Sequence, residues 1–398
     1  MRWAVGVTIY MTYPHLGLRE WPFRIVPEPE FCDFIADRAT LRKEVEELLE
    51  SLENRPTSDI QLIWSWYGAG KTHTVYYLAN QCSERHRRLL PVYTELPREA
   101  KGFVDLYRIA VGQIPTESIV DAFLEFSTRP RERSAFGHTL DPDLSAALTQ
   151  AALGNRPTKV LLGQWLLGNP LPQSSQRELG VGMRINTTEK CSVVLADLVS
   201  LLAPRRPSSG DVEAAPVRLI WIVDEVQRVE DLPDSARRSV LSGIVGVFNR
   251  CPTGLTMLLS YTGAPSEQSL PDWITADLKD RIGLERPMLL PPLRSDEAML
   301  LIQELLAHFR LPEAAELGGF YPFDEVAIKE LVRVLAKGGD LKPRNVMEAL
   351  DASLRHLEPR LRSGALSIIT IAALRESLGR FPLDWSEQPA RRRRSKSS

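Results

Sequence analysis

Five short apolar segments along the chain have the length and composition of buried β-strands. Each meets a stretch in which apolar residues recur with the three-to-four-residue spacing of a helix. The five segments are residues 60–66, 89–96, 217–225, 254–263 and 285–293. Because continuous apolar strands that alternate with helices are typical of parallel sheets covered on both faces, the pattern predicts an α/β fold.

The second and third predicted strands are separated by about 120 residues, whereas a single crossover connection needs only a few dozen. Within this gap, helical apolar spacing occurs over residues 103–114, 116–126, 144–153, 159–168 and 193–203. We therefore expect a large helical insertion on the sheet, closed by a linker rich in Pro and Ser at 204–216. The insertion and its linker are assigned to residues 98–210.

The pattern changes on both sides of the predicted sheet. Residues 12–35 are rich in Pro and aromatic side chains and predict an extended N-terminal arm, and apolar spacing over 37–53 predicts a helix. After Pro292 the chain shows helical patterns only, which predicts a second, all-helical domain. The expected organisation is an arm at 1–35, a sheet domain at 36–292, a helical lid domain at 293–380 and a basic disordered tail at 381–398. Residues 1–10 are interpreted as a misassigned start of the chain.

Composition and charge narrow the class of protein. Of 398 residues, 43% are hydrophobic and 25% charged, which excludes a wholly disordered or collagen-like chain. The net charge is −2, so no global basic field indicates nucleic acid, although the tail alone carries +3. The four cysteines are far apart, which disfavours structural zinc and disulfides. No apolar run is long enough for a membrane span, and the sequence predicts a cytoplasmic protein.

The turn after the first predicted strand has the pattern of a phosphate-binding loop. Its sequence is Ser65-Trp66-Tyr67-Gly68-Ala69-Gly70-Lys71-Thr72, which fits GxxxxGK[ST] except that Ser65 replaces the first glycine. Glycines let backbone amides approach phosphate oxygens where a Cβ would collide. Gly68, Ala69 and Gly70 are therefore predicted to bind phosphates through the backbone. The loop leads into a helix, whose N-terminus adds positive potential.

Two side chains complete the predicted phosphate site. Lys71 can reach the β- and γ-phosphates, and the hydroxyl of Thr72 can ligate Mg²⁺. Because Ser65 replaces a glycine, the loop differs from the usual motif at this position. The alternative to a phosphate site is that GAGKT occurs by chance in a glycine-containing turn. The predicted cofactors are ATP and Mg²⁺.

The third predicted strand ends in Asp224-Glu225. An acidic pair at a strand tip fits a nucleotide site, with Asp224 in the Mg²⁺ shell and Glu225 orienting or deprotonating the attacking water. The alternative is a pair of helix-capping carboxylates, since acidic residues often follow strands. Combined with the phosphate loop, the pair predicts ATP hydrolysis rather than binding alone.

Taken together, these motifs resemble those of the AAA+ P-loop ATPases, in the branch that holds secretion-associated ATPases, transposition-accessory ATPases and origin-recognition initiators. Further likeness lies in the GL-x-x-x-PF-like residues 16–23, in Asp280-Arg281-Ile282 followed by residues 290–293, and in residues 339–345, similar to the second sensor of the lid. The likeness spans about 16–96 and 217–380. It does not include the insertion or the tail.

The resemblance implies roles for three further positions. Arg344 would contact the γ-phosphate from the lid, with a surface ion pair as the alternative. Arg281 would be an arginine finger that reaches a neighbouring subunit's nucleotide, or it would pair with Asp277 or Asp280 of its own chain. Thr262 and Ser260 compete for the role of first sensor at the end of the fourth strand. Aromatic residues around the loop could stack a base, although core packing is the favoured interpretation.

The resemblance also implies an ATP-driven switch or motor that forms a homo-oligomer. DNA is the favoured partner, in transposition, replication or defence against mobile elements. A nucleotide-dependent switch that recruits an unknown protein partner through the insertion, without DNA, is the alternative. A secretion-machinery ATPase is disfavoured because the sequence has no membrane segment.

Overall fold

The structure is a computed structural model that describes residues 12–36, 39–128, 139–203, 217–263, 273–282, 287–338, 341–381, 383 and 385. Its contacts divide the chain into two units. The first contains 45–65 and 78–289, and the second contains 66–77, the chain from Leu290 onward and the N-terminal segment as far as Glu44. The predicted start at 1–10, the linker at 204–216 and the tail from 386 onward lie outside the described residues.

The first unit is built on a five-stranded sheet. Its strands are β1 (Asp59–Ser65), β2 (Leu89–Glu95), β3 (Arg218–Asp224), β4 (Leu255–Thr262) and β5 (Met288–Leu290). They lie in the order β2-β3-β4-β1-β5, and the pairs β2-β3, β3-β4 and β4-β1 are parallel. All five predicted strands are confirmed. β5 is shorter than predicted because Pro287, Pro291 and Pro292 flank it and lack amide donors for a ladder.

Helices precede and follow β1 and then fill the long gap after β2. They are α1 (Ala39–Asn54), α2 (Lys71–Glu84), α3 (Phe103–Gly112), α4 (Thr116–Ser127), α5 (Pro142–Leu153), α6 (Arg156–Leu166), α7 (Gln173–Leu179) and α8 (Thr188–Leu202). The predicted helical insertion is thus confirmed. The sequence did not predict α7, because its segment QSSQREL is mostly polar and has no apolar periodicity.

One apolar core joins the insertion to the sheet. Phe103 of α3 is fully buried and packs edge-to-face against Trp221 of β3, with ring centroids 6.0 Å apart. Gly243 lies opposite this ring on α9 (Asp234–Arg250). The absence of a side chain at Gly243 therefore lets the ring pack directly on the helix backbone.

We expect Gly243→Ala to destabilise the first unit. A Cβ at this position would lie 2.0 Å from Cγ of Phe103, so the buried ring would have to move. Overpacking a core costs about 1–3 kcal/mol, and alanine gains about 1 kcal/mol over glycine in a helix. Because the clash falls on a fully buried ring, we expect a net loss near the upper end of the difference, about 2 kcal/mol. Urea denaturation measures the change, with the exposed neighbour Ser242→Ala as control. A midpoint at or above that of the wild type would contradict this packing.

The second unit contains a helical domain. Its helices are α11 (Ser295–His308), α12 (Glu325–Lys337), α13 (Pro343–Arg362) and α14 (Ile371–Ser377), while α10 (Ala276–Ile282) belongs to the first unit. The helices predicted after Pro292 are confirmed. α13 contains Pro359 and ends at Arg362. No helix among the described residues is long and apolar enough to cross a membrane.

The N-terminal segment supplies part of the core of the second unit. Leu16, Leu18 and Phe23 are buried among the helices of this unit. Gly17 between them has φ 65°, and a Cβ there would lie 2.8 Å from Cβ of Ala314. The GL-x-x-x-PF-like residues therefore contribute Leu16, Leu18 and Phe23 to this core. The arm at 1–35 stays a prediction.

Candidate nucleotide-binding site

The predicted phosphate loop lies in the second unit and leads directly into α2, which begins at Lys71. Gly68 and Gly70 have φ 80° and 97°, a left-handed conformation that glycine adopts without strain. The amide of Thr74 donates to the carbonyl of Gly70 at 2.9 Å. Because the first amides of a helix have no intrahelical acceptor, this end of α2 favours an anion.

The two glycines are required for different reasons. A Cβ added at Gly70 would meet no heavy atom of the described residues within 4 Å, so they leave open space there for a phosphate to approach the backbone. A Cβ at Gly68 would lie 3.2 Å from Cβ of Arg344. The sequence attributed both glycines to phosphate approach, whereas the structure shows that Gly68 also makes room for the helical domain.

The remaining motif residues occupy the ends of β1 and α2. Ala69 and Lys71 are buried, and Lys71 and Thr72 form the first turn of α2. Ser65 is the last residue of β1 and is fully buried, and its carbonyl accepts from the amide of Gly263 at 3.0 Å. Because Ser65 has strand geometry, its Cβ causes no strain at the position of the missing glycine.

His73 follows the motif but bonds to the N-terminal segment of the second unit. Its Nε2 donates to the carbonyl of Phe34 at 2.8 Å, and its Nδ1 lies 3.5 Å from Sγ of Cys32. Burial lowers the pKa of His73, which keeps the imidazole neutral at neutral pH, and burial raises the pKa of Cys32 to about 12. His73 therefore anchors this segment to α2.

The acidic pair lies at the carboxyl end of β3, in the first unit. Asp224 is fully buried. Its Oδ2 accepts from the hydroxyl of Tyr93 at 3.2 Å, and its Oδ1 accepts from the amide of Glu225 at 2.8 Å. Glu225 has φ 58°, the one positive φ at a non-glycine residue in the described part of the chain. No sequence pattern indicates this backbone turn.

Two residues missed by the sequence analysis bind the side chain of Glu225. Gln227 donates from Nε2 to its Oε2 at 2.7 Å, and Arg228 places Nη2 at 3.5 Å from the same oxygen. The guanidinium of Arg228 also contacts Glu95 at the end of β2, at 2.6 Å. Both residues belong to the 3-10 turn that directly follows the acidic pair. Their closeness to Glu225 in the sequence is the one feature that could have indicated this contact.

The end of β4 carries two buried hydroxyls. Ser260 and Thr262 lie two residues apart and so share one face of the strand. Within the described residues, neither hydroxyl oxygen has a hydrogen-bond partner. The amide of Thr262 donates to Oε1 of Gln227 at 3.0 Å, so Gln227 links Glu225 to this strand end. A buried hydroxyl without a partner is suited to an incoming phosphate or water.

Arg344 lies in the first turn of α13 and contacts the phosphate loop within the second unit. Its amide donates to the carbonyl of Gly68 at 3.3 Å, and its Cζ lies 4.4 Å from the ring centroid of Tyr67. Gly339 and Asp340, the start of the second-sensor motif, lie outside the described residues. The preceding Lys342 has its Nζ 6.0 Å from the ring centroid of Trp66.

The expectation of core packing is correct for one of the three aromatic residues near the loop. Trp64 is buried and packs edge-to-face on Tyr261. The expectation is wrong for Trp66 and Tyr67, which are 42% and 65% exposed. The strand ends at Ser65, so the two residues after it no longer belong to the buried sheet.

Arg281 lies on α10 in the first unit. Its Nε donates to Oδ1 of Asn249 at 2.7 Å, and its Nη1 donates to the backbone carbonyl of Asp277. These partners are uncharged, so the contact with Asp277 is not the carboxylate ion pair that the sequence offered as an alternative. The role of an arginine finger stays a prediction.

Comparison with known proteins adds evidence on the fold. No family model and no curated protein matches the sequence. Among solved structures, the Aeropyrum pernix ORC2 protein in ADPNP–ADP complexes is 14% identical, with a TM-score of 0.52 over 87% of this chain and 69% of that one. The chain has the fold of the AAA+ ATPases.

Two further AAA+ structures are similar to this chain. The Aeropyrum pernix ORC1 protein in complex with DNA is 14% identical, with a TM-score of 0.48, over 90% of this chain and 69% of that one. Cdc6p from Pyrobaculum aerophilum is 11% identical, with a TM-score of 0.49, over 89% of this chain and 69% of that one. The similarity to the ORC2 structure, with its TM-score of 0.52, confirms the resemblance to the origin-recognition branch of the AAA+ ATPases as a likeness of fold.

Proposed function

We propose that this chain is a Mg²⁺-dependent ATPase of the AAA+ type, acting as a switch or motor. The observation that carries the proposal is the left-handed Gly68–Gly70 loop at the N-terminus of α2, with open space beside Gly70. This geometry binds phosphates in P-loop proteins. The similar ORC2 structure was determined in complexes with ADPNP and ADP.

Each motif residue has a defined task in this proposal. The amides of Gly68, Ala69 and Gly70, together with the Lys71 ammonium, bind the phosphates. Glu225 orients and deprotonates the attacking water, while Arg344 and the hydroxyl of Thr262 contact the γ-phosphate. Phosphoryl transfer needs positioning and charge neutralisation rather than a covalent nucleophile, and this set of groups provides both.

Mg²⁺ would be held by Thr72 and Asp224. A hydroxyl and a carboxylate are oxygen ligands of the type that Mg²⁺ prefers, and this ion commonly binds one or two protein ligands together with substrate phosphates. Among the described residues, no group of three or more His, Cys, Asp or Glu could hold a metal ion. When bound, the ion would neutralise negative charge on the phosphates.

The contact of Arg344 with Gly68 explains how nucleotide would act on the helical lid. Arg344 is part of α13, so a change in its contact with the γ-phosphate would be transmitted to that helix. We further propose a homo-oligomer in which Arg281 acts on a neighbouring subunit's nucleotide. Arg281 lies on α10, in the Asp280-Arg281-Ile282 segment that resembles an element of the AAA+ ATPases.

DNA is the proposed partner, on the basis of the resemblance to the origin-recognition branch and of the DNA-bound ORC1 protein among the similar structures. The alternative is a switch that recruits a protein through the insertion. In that case the partner would contact the exposed apolar side chains of the insertion, with Leu153 at 82%, Val160 at 54% and Met183 at 62% exposure.

The ATPase rate with and without duplex DNA tests both parts of the proposal. We expect Mg²⁺-dependent release of phosphate that EDTA abolishes and that duplex DNA stimulates at about 50 mM salt, where phosphate contacts are strong. Hydrolysis that DNA leaves unchanged, together with no DNA binding, would replace the DNA partner with the protein-recruiting switch. The absence of both ATP binding and hydrolysis would overturn the ATPase itself.

A further inference from the structure

Tyr67 occupies a variable position of the phosphate loop, yet it makes a specific contact. Its side chain is 65% exposed, so it contributes little to any core. The Cζ of Arg344 lies 4.4 Å from the centroid of its ring, well inside the range of a cation–π contact. The aromatic face of Tyr67 therefore stabilises one position of this guanidinium.

The backbone of Arg344 is fixed at the same loop. Pro343 is the first residue of α13 and has no amide hydrogen, so Arg344 provides the first donor of the helix. This amide donates to the carbonyl of Gly68 at 3.3 Å. Gly68 also has no Cβ, and a Cβ there would lie 3.2 Å from Cβ of Arg344. Tyr67 thus contacts the guanidinium of Arg344, and its neighbour Gly68 bonds to the backbone amide of the same residue.

We infer that Tyr67 is a positioning residue that keeps the Arg344 guanidinium beside the phosphate loop and thereby favours a nucleoside triphosphate over a diphosphate. This inference rests on the proposed ATP binding. Arginine has many rotamers, and ordering them on ligand binding costs affinity. A ring that restricts the guanidinium in advance lowers this cost, and the benefit applies only to a ligand that carries a γ-phosphate.

A double-mutant cycle tests this role. Affinities for Mg-ADPNP and Mg-ADP are measured by calorimetry on the wild type, Tyr67→Ala, Arg344→Ala and the double variant. We expect Tyr67→Ala to weaken ADPNP binding by about two- to fivefold, the range of one exposed cation–π contact. ADP affinity should be unchanged. In the Arg344→Ala background, removing the tyrosine ring should have no further effect on either ligand.

Tyr67→Phe is the matched control because it keeps the aromatic face and removes only the hydroxyl. It should retain the ADPNP preference of the wild type. Equal losses for ADPNP and ADP that persist without Arg344 would show that Tyr67 contacts the nucleotide directly, which overturns the inference. Unchanged ADPNP affinity in Tyr67→Ala would overturn it as well. If the wild type binds neither ligand, the proposed function fails before the cycle begins.

Discussion

Replacing Lys71 with alanine should abolish measurable ATP binding. Lys71 begins α2 and is only 7% exposed, so its ammonium acts where water screens charge weakly. It is the one side chain assigned to both the β- and the γ-phosphate. Truncating one member of a buried charge pair costs about 2–5 kcal/mol, so affinity should fall by about 30-fold to several thousand-fold. Calorimetric titration with Mg-ADPNP measures the loss.

The matched control for this variant is Lys329→Ala. Lys329 lies on α12 of the same unit, is exposed and pairs with Glu325, so its removal changes the net charge equally without touching the loop. Affinity should match that of the wild type in the control. Because Lys71 is buried, the melting temperature of Lys71→Ala must also be compared with the control. A folded Lys71→Ala variant with normal affinity would refute the phosphate-loop assignment.

The sheet and the helices were largely predictable because local patterns determine them. The apolar runs that became β1 to β4 bury most of their side chains, so their hydrophobicity was the relevant signal. Local sequence patterns also explain the two elements that differ between prediction and structure. β5 is apolar but is shortened by the prolines around it, and α7 is too polar to show a periodic face.

The motif residues were also predictable, but their contacts were not. The role of Gly68 in the loop could be predicted from phosphate chemistry. Its contact with Arg344 could not, because the two residues are 276 positions apart and no local sequence pattern indicates that they meet. The link from Glu225 through Gln227 to Thr262 depends on how a 3-10 turn meets the end of β4. The exposure of Tyr67 depends on where β1 ends, which apolar composition locates only to within a residue or two.

The backbone at Glu225 supports its assignment as the residue that acts on water. A non-glycine residue in the left-handed region costs about 1–2 kcal/mol. Such strain persists where the surroundings enforce it, and it is found preferentially at functional sites. Here the amide bonds to Asp224, and the carboxylate bonds to Gln227 and Arg228. These contacts hold the carboxylate at the end of β3.

Glu225→Gln should therefore retain ATP binding and slow turnover by about 10²-fold or more, the scale of a lost general base. Glutamine keeps the size of the side chain and an oxygen that can accept from Gln227, but it cannot take a proton from water. Steady-state kcat and ADPNP affinity are measured together, since only kcat should change. Glu230→Gln is the control, because Glu230 lies in the same 3-10 turn and its carboxylate contacts only the hydroxyl of Tyr261 among the described residues. A near-normal kcat in Glu225→Gln would mean that another group activates the water.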